Sequence, residues 1–64
     1  MPLIRINHAA PLSPEVVENL LRTVTDAYVT ATGSDPAAVH VLVERVQPEN
    51  WAVGGTSLAA RKAR

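Results

Sequence analysis

The sequence predicts an α+β chain: a β-α-β core with parallel strands, one long helix and a short C-terminal hairpin, assembling as an oligomer. Two stretches of two-residue apolar alternation, Pro2 to His8 and Val39 to Val46, flank a stretch of three- and four-residue periodicity. A glycine pair, Gly54-Gly55, closes a short apolar run near the end. The chain has 64 residues and no cysteine. At this length folding buries only about 60 % of the surface that the unfolded chain exposes. Disulfides are impossible and no Cys/His cluster has zinc-ligand spacing, so association with other chains is the expected supplement to the core.

The first strand runs from Pro2 to His8, with Pro2, Ile4 and Ile6 on one face and Leu3, Arg5 and Asn7 on the other. Proline is tolerated at its start, where a missing N–H costs little. Ala10-Pro11-Leu12 forms a loop, and Ser13-Pro14-Glu15 then starts a helix: Ser13 as N-cap, Pro14 at the first helical position, Glu15 favourable to the dipole. The helix extends to about Thr32. Val16, Val17, Leu20, Leu21, Val24, Ala27, Tyr28 and Ala31 make its apolar stripe, opposite Glu18, Asn19, Arg22, Thr23 and Asp26. Gly33 supplies a left-handed C′ residue, and Ser34-Asp35-Pro36 prevents continuation.

The second strand, Val39 to Val46, is rich in β-branched residues, with Val39, Val41 and Val43 on one face and His40, Leu42, Glu44 and Val46 on the other. A helical crossover between the two strands implies parallel pairing of right-handed sense. The helix covers the valine face, which leaves the His40/Leu42/Val46 face in need of a partner. Gln47 to Asn50 reads as a turn, and Trp51-Ala52-Val53 before Gly54-Gly55 as a tight hairpin or loop. The tail from Thr56 to Arg64 ends in Arg61, Lys62 and Arg64 and reads as a solvated terminus.

Charge excludes several function classes. Six Lys/Arg balance six Asp/Glu, and no basic stripe is present for phosphates or an anionic membrane, so neither nucleic acid nor membrane is an expected partner. The start, MPLIRINHAA, lacks a signal-peptide pattern, and no apolar run approaches the ~20 residues of a membrane span. One domain over residues 1–64 and a cytoplasmic location are expected.

Pro2 directly after Met1, the Ser13-Pro14-Glu15 helix start, the run Val39-His40-Val41-Leu42-Val43-Glu44 and above all Asn50-Trp51-Ala52-Val53-Gly54-Gly55 together resemble the 4-oxalocrotonate tautomerase family. The resemblance covers nearly the whole chain. It implies β-α-β subunits assembled as a hexamer of dimers, a small enol or keto acid substrate and no cofactor. It also places an N-terminal proline, freed by removal of methionine, in each active site as general base. Pro2 maps onto that proline. While Met1 remains attached, the Pro2 nitrogen belongs to an amide and has no basic lone pair. Once freed it is a secondary amine, and apolar walls, for which Leu3 and Trp51 are candidates, disfavour its ammonium form.

The family's two arginines, one in the loop before the helix and one at the second residue of the second strand, fall here on Leu12 and His40. Leu12 cannot hold a carboxylate. An imidazole at position 40 offers two donors at most, and it can be read either as an orienting group for substrate or as an interface histidine. Trp51 maps onto an aromatic wall of the site and also suits a packing role, while His8, near the loop, is a weaker candidate cation for substrate. Arg5 reads as surface or interface, Arg45 as a strand-end side chain reaching solvent, and Tyr28 as helix packing.

The expected activity is enol–keto interconversion of a 2-hydroxy/2-oxo acid by a homo-oligomer. The missing arginines also resemble the β-subunit of trans-3-chloroacrylic acid dehalogenase, which implies as alternatives a mixed hexamer with a related chain, or a non-catalytic family member. Under the first reading, bacterial expression of the untagged chain yields protein lacking Met1, checked by intact-mass measurement. Material that keeps Met1 or carries an N-terminal tag is expected to be inactive.

Overall fold

The computed structural model describes residues 2–62, the side chain of Lys62 excepted. The expected loss of Met1 and the outer part of the basic tail, with Arg64, lie outside the described residues. Strand β1 spans Leu3–His8, helix α1 Pro14–Thr32, strand β2 His40–Arg45, strands β3 and β4 Ala52–Val53 and Thr56–Ser57, and helix α2 Leu58–Lys62. Single 3-10 turns at Pro36–Ala38 and Pro48–Asn50 precede β2 and β3.

Helix α1 begins and ends where its capping residues dictate. The Ser13 hydroxyl accepts the Val16 N–H at 3.2 Å, and Pro14 fills the first turn, where an N–H would be orphaned anyway. At the other end Gly33, at φ 72°, donates its N–H to Val29 O at 2.8 Å. The Asp35 carboxylate then caps the following 3-10 turn by accepting the Ala37 N–H at 3.0 Å.

β1 and β2 pair in parallel, from Leu3 opposite His40 to His8 opposite Arg45. This register sorts the side chains into two faces. Ile4, Ile6, Val41 and Val43 are half-buried beneath α1, whereas Leu3, Arg5, Asn7, His40, Leu42 and Glu44 are exposed on the reverse. Val46 departs from the expected exposed set. It follows β2, donates its N–H to His8 O at 2.8 Å and is half-buried.

The helix stripe is rotated from the expected one. Val17, Leu20, Leu21, Val24, Thr25, Tyr28 and Val29 are half-buried, while Val16, Ala27 and Ala31 are exposed. Thr25 can take an inward position because its hydroxyl donates to Leu21 O at 2.8 Å, which satisfies it within the helix.

The chain after Gln47 forms a separate small unit. β3 and β4 pair antiparallel about Gly54 and Gly55, at φ 62° and 86°, the two positive values that a two-residue type I′ turn requires. The tail expected to be solvated instead contributes β4 and α2. Ser57 caps α2 by accepting the Ala60 N–H at 3.1 Å, and Leu58 N–H donates to Trp51 O at 2.8 Å, folding α2 back onto the Pro48–Asn50 turn.

None of the described residues is fully buried. The accessible surface is 4772 Å², against about 4,000 Å² for a compact monomer of this mass. The Cα radius of gyration is 15.0 Å, against about 11 Å for a globular chain of this length. The single layer of helix on sheet is therefore thin and open. Replacing Ser13 by Ala orphans the N–H that its hydroxyl accepts, so a loss of about 1 kcal/mol in unfolding free energy is expected, measurable by thermal or denaturant unfolding.

Candidate active site

Parallel pairing puts the candidate residues at two ends of the sheet. Pro2 and His40 share one end: Pro2 is half-buried, and its carbonyl accepts the His40 N–H at 3.0 Å. This bond extends the ladder one residue beyond Leu3 and holds the proline ring at the strand start. The His40 side chain lies on the exposed face, in the row that begins with Leu3. Leu3 itself is 57 % exposed, so it offers an apolar surface beside Pro2 without enclosing it.

The other end lies about 20 Å away, at about 3.3 Å per residue from Pro2 to His8. There His8 pairs with Arg45, and both side chains fasten the loop that follows β1. His8 Nδ1–H donates to Ala10 O at 2.7 Å, an assignment that follows from the carbonyl being able only to accept. Arg45 Nε–H donates to Ala9 O at 3.1 Å. His8, considered as a cation for substrate, is thus engaged as a loop clamp through one of its two ring nitrogens.

Between that loop and the C-terminal unit is a depression of about 460 Å³ lined by Ala9, Ala10, Pro11, Arg45, Pro48 and Leu58. Trp51 belongs to the same end. It is half-buried, its N–H donates to Pro48 O at 3.4 Å and its carbonyl accepts from Leu58. Leu12, which follows Pro11 directly, is exposed in the loop.

A single chain therefore brings Pro2 to His40 and, separately, Leu12 and His8 to the end where Trp51 lies. It does not bring the two sets together. Arg45 is exposed, as expected of a strand-end side chain, and it also lines the depression and holds the loop. The signal for this is the register itself, since pairing Leu3 with His40 forces Arg45 opposite His8. A second hollow of about 370 Å³, along Glu18, Leu21, Arg22, Thr25 and Asp26, is lined by α1 alone and includes none of the candidate residues.

The chemistry divides as the geometry does. One end offers a strand-start proline, which is a base once its nitrogen is free, paired through its backbone with His40, whose imidazole lies on the exposed sheet face. The other offers the Arg45 guanidinium beside Ala9, Ala10, Pro11, Pro48 and Leu58, a set suited to holding a small organic anion.

The family model described as tautomerase enzyme matches residues 2–61. A probable tautomerase of Staphylococcus aureus is 34% identical over 55 residues, covering 86% of this chain and 90% of the relative. Among solved structures, TomN, a 4-oxalocrotonate tautomerase homologue of the tomaymycin biosynthetic pathway, superposes with a TM-score of 0.94 at 41% identity, over 98% of this chain and 97% of that one. A heterohexamer 4-oxalocrotonate tautomerase from Chloroflexus aurantiacus gives a TM-score of 0.84 at 34% identity, over 92% of this chain and 95% of that one.

Proposed function

This chain belongs to the tautomerase enzyme family, and on that premise we propose that it interconverts the enol and keto forms of a 2-hydroxy/2-oxo acid, with Pro2 as general base after removal of Met1. The observation that carries this reading is the position of Pro2, half-buried at the start of β1 and pinned to His40 through its carbonyl. That bond uses the carbonyl and leaves the nitrogen to chemistry. In ketonisation the neutral amine takes the enol O–H proton, the C–O bond becomes a carbonyl, and the displaced electron pair shifts along the conjugated chain. The proton then returns to carbon. Atoms and charge balance with no co-reactant, and a well-placed base of this kind contributes about 100-fold or more.

Because Leu12 and Trp51 belong to the His8 end of the strand pair, which is about 20 Å from Pro2, the site is completed by another copy of the chain, whose loop end meets the proline end. Assembly also serves the fold, since Leu3 and Leu42 stand 57% and 47% exposed on the open sheet face. A homo-oligomer, a hexamer by analogy with the family, is the first reading. A mixed hexamer is the second, favoured by the absence of arginine at positions 12 and 40 and by the likeness to the Chloroflexus heterohexamer. In that assembly a related chain supplies the missing cations, and the reaction extends to hydration or dehalogenation of an unsaturated acid.

Leu12 sets the substrate class. A second carboxylate brought against the Leu12 side chain loses its hydration and gains no charge partner from that residue, at a cost of several kcal/mol. Monocarboxylate enols are therefore favoured. His40 stands at the Pro2 end, where its ring N–H is the donor available to the developing oxyanion.

Three outcomes are expected of the processed protein. Replacing Pro2 by Ala, or blocking the N-terminal amine, lowers kcat/KM for enol ketonisation by about 100-fold or more. A 2-hydroxydienoate or an enolised arylpyruvate is turned over in preference to 2-hydroxymuconate, measured by steady-state kinetics on the purified chain alone. His40→Ala lowers kcat/KM, and His40→Arg, which keeps hydrogen-bond donors at that position, retains more of it. Full activity in blocked protein removes Pro2 from the mechanism, and activity only on adding a related chain selects the mixed assembly.

A further inference from the structure

We propose that Arg45 is the carboxylate-binding residue of this protein, and that its guanidinium with the surrounding depression forms a subsite for the single carboxylate of an apolar acid. The inference rests on the tautomerase reading for its substrate class, but the geometry that carries it belongs to Arg45. The sequence has no arginine at position 12 or 40, and Arg45 stands where the first strand, the loop and the C-terminal unit converge. Its Nε–H is fixed on Ala9 O at 3.1 Å, which uses one of the five guanidinium donors and restricts the orientation of the plane. The terminal N–H groups keep the fork geometry that suits a carboxylate.

The walls argue for the rest of the ligand. Besides Arg45 the depression is lined by Ala9, Ala10, Pro11, Pro48 and Leu58, whose side chains are all apolar, and its volume of about 460 Å³ accommodates a small organic acid. Leu12 continues the loop from Pro11, and Trp51 is tied to Leu58 through its carbonyl. An unsaturated or aryl body thus has apolar surface beside the cation. Arg45 is exposed beside these walls, and one guanidinium accepts one carboxylate and leaves a second unpaired. The His8–Ala10 bond holds the other half of the loop, so the subsite is built from a strand end and a fastened turn.

The test is equilibrium binding to the assembled, processed protein by calorimetry, with trans-cinnamate as the acid and cinnamamide as its neutral counterpart. Neither compound needs Pro2 to act as a base. Replacing Arg45 by Met is expected to weaken cinnamate binding by about 10-fold or more and to leave cinnamamide unchanged; Arg45→Lys, which keeps the charge without the fork, falls between. Sedimentation of each variant confirms assembly. A purely structural role for the Arg45–Ala9 bond would move the acid and the amide together in both variants, and that result overturns the proposal. So does wild-type protein that fails to bind cinnamate, as happens if another copy of the chain fills the depression. Arg45-dependent binding of cinnamate in a protein that turns over no enol supports the subsite and removes the tautomerase mechanism instead.

Discussion

The parallel pairing of two strands, covered by a helix on one face only, is the constraint on which the rest of the structure depends. It arises locally. A crossover of one capped helix can return the chain only beside and along the first strand, and the register from Leu3–His40 to His8–Arg45 then assigns every side chain to a face and an end. Ile4, Ile6, Val41 and Val43 meet the helix, but Leu3 and Leu42 do not, and none of the described residues is fully buried. A chain 45 Å long and 15 Å thick has too little interior to hold itself together by apolar burial alone. Under the proposed assembly, the second face gains its cover from other copies, and stability and function draw on the same contacts.

The register also separates the chemistry. The residue that resembles the catalytic base and the residues that resemble its substrate-holding partners lie at opposite ends of a strand pair. No side-chain rotation closes a gap of about 20 Å. The division follows from topology. Here position 12 is leucine, and the guanidinium at that end belongs to Arg45 at the end of β2, which bonds the loop backbone at Ala9.

Much of this was legible in the sequence because capping and turn residues act within a few positions of themselves. Ser13 and Gly33 mark the ends of α1, Gly54-Gly55 marks the hairpin, and strand alternation places Ile4, Ile6, Val41 and Val43 under the helix. What was not legible depends on contacts distant in sequence or on very short elements. α2 is a five-residue helix, too short for a periodic signal, and it folds back because Leu58 bonds to Trp51. Thr25 entered the helix stripe although polar, since its hydroxyl is satisfied by Leu21. Arg45 read as a solvent-seeking side chain because its partner, Ala9, is 36 residues away. The candidate site residues were named one by one from the resemblance, and their distribution between two ends emerges only from the register.

The claim that the site is completed between chains is tested most directly by subunit mixing. Pro2→Ala disables the proline end, and Leu12→Glu places an anion at the loop end that repels a carboxylate substrate. Each variant alone is expected to be nearly inactive. If every site draws its two ends from different chains, unfolding the variants together and refolding them in equal amounts restores activity to about a quarter of the sites, because both ends are intact wherever two suitable chains meet. If both ends come from one chain, each site in the mixture carries one lesion or the other. Mixed material no more active than the separate variants would then contradict the account.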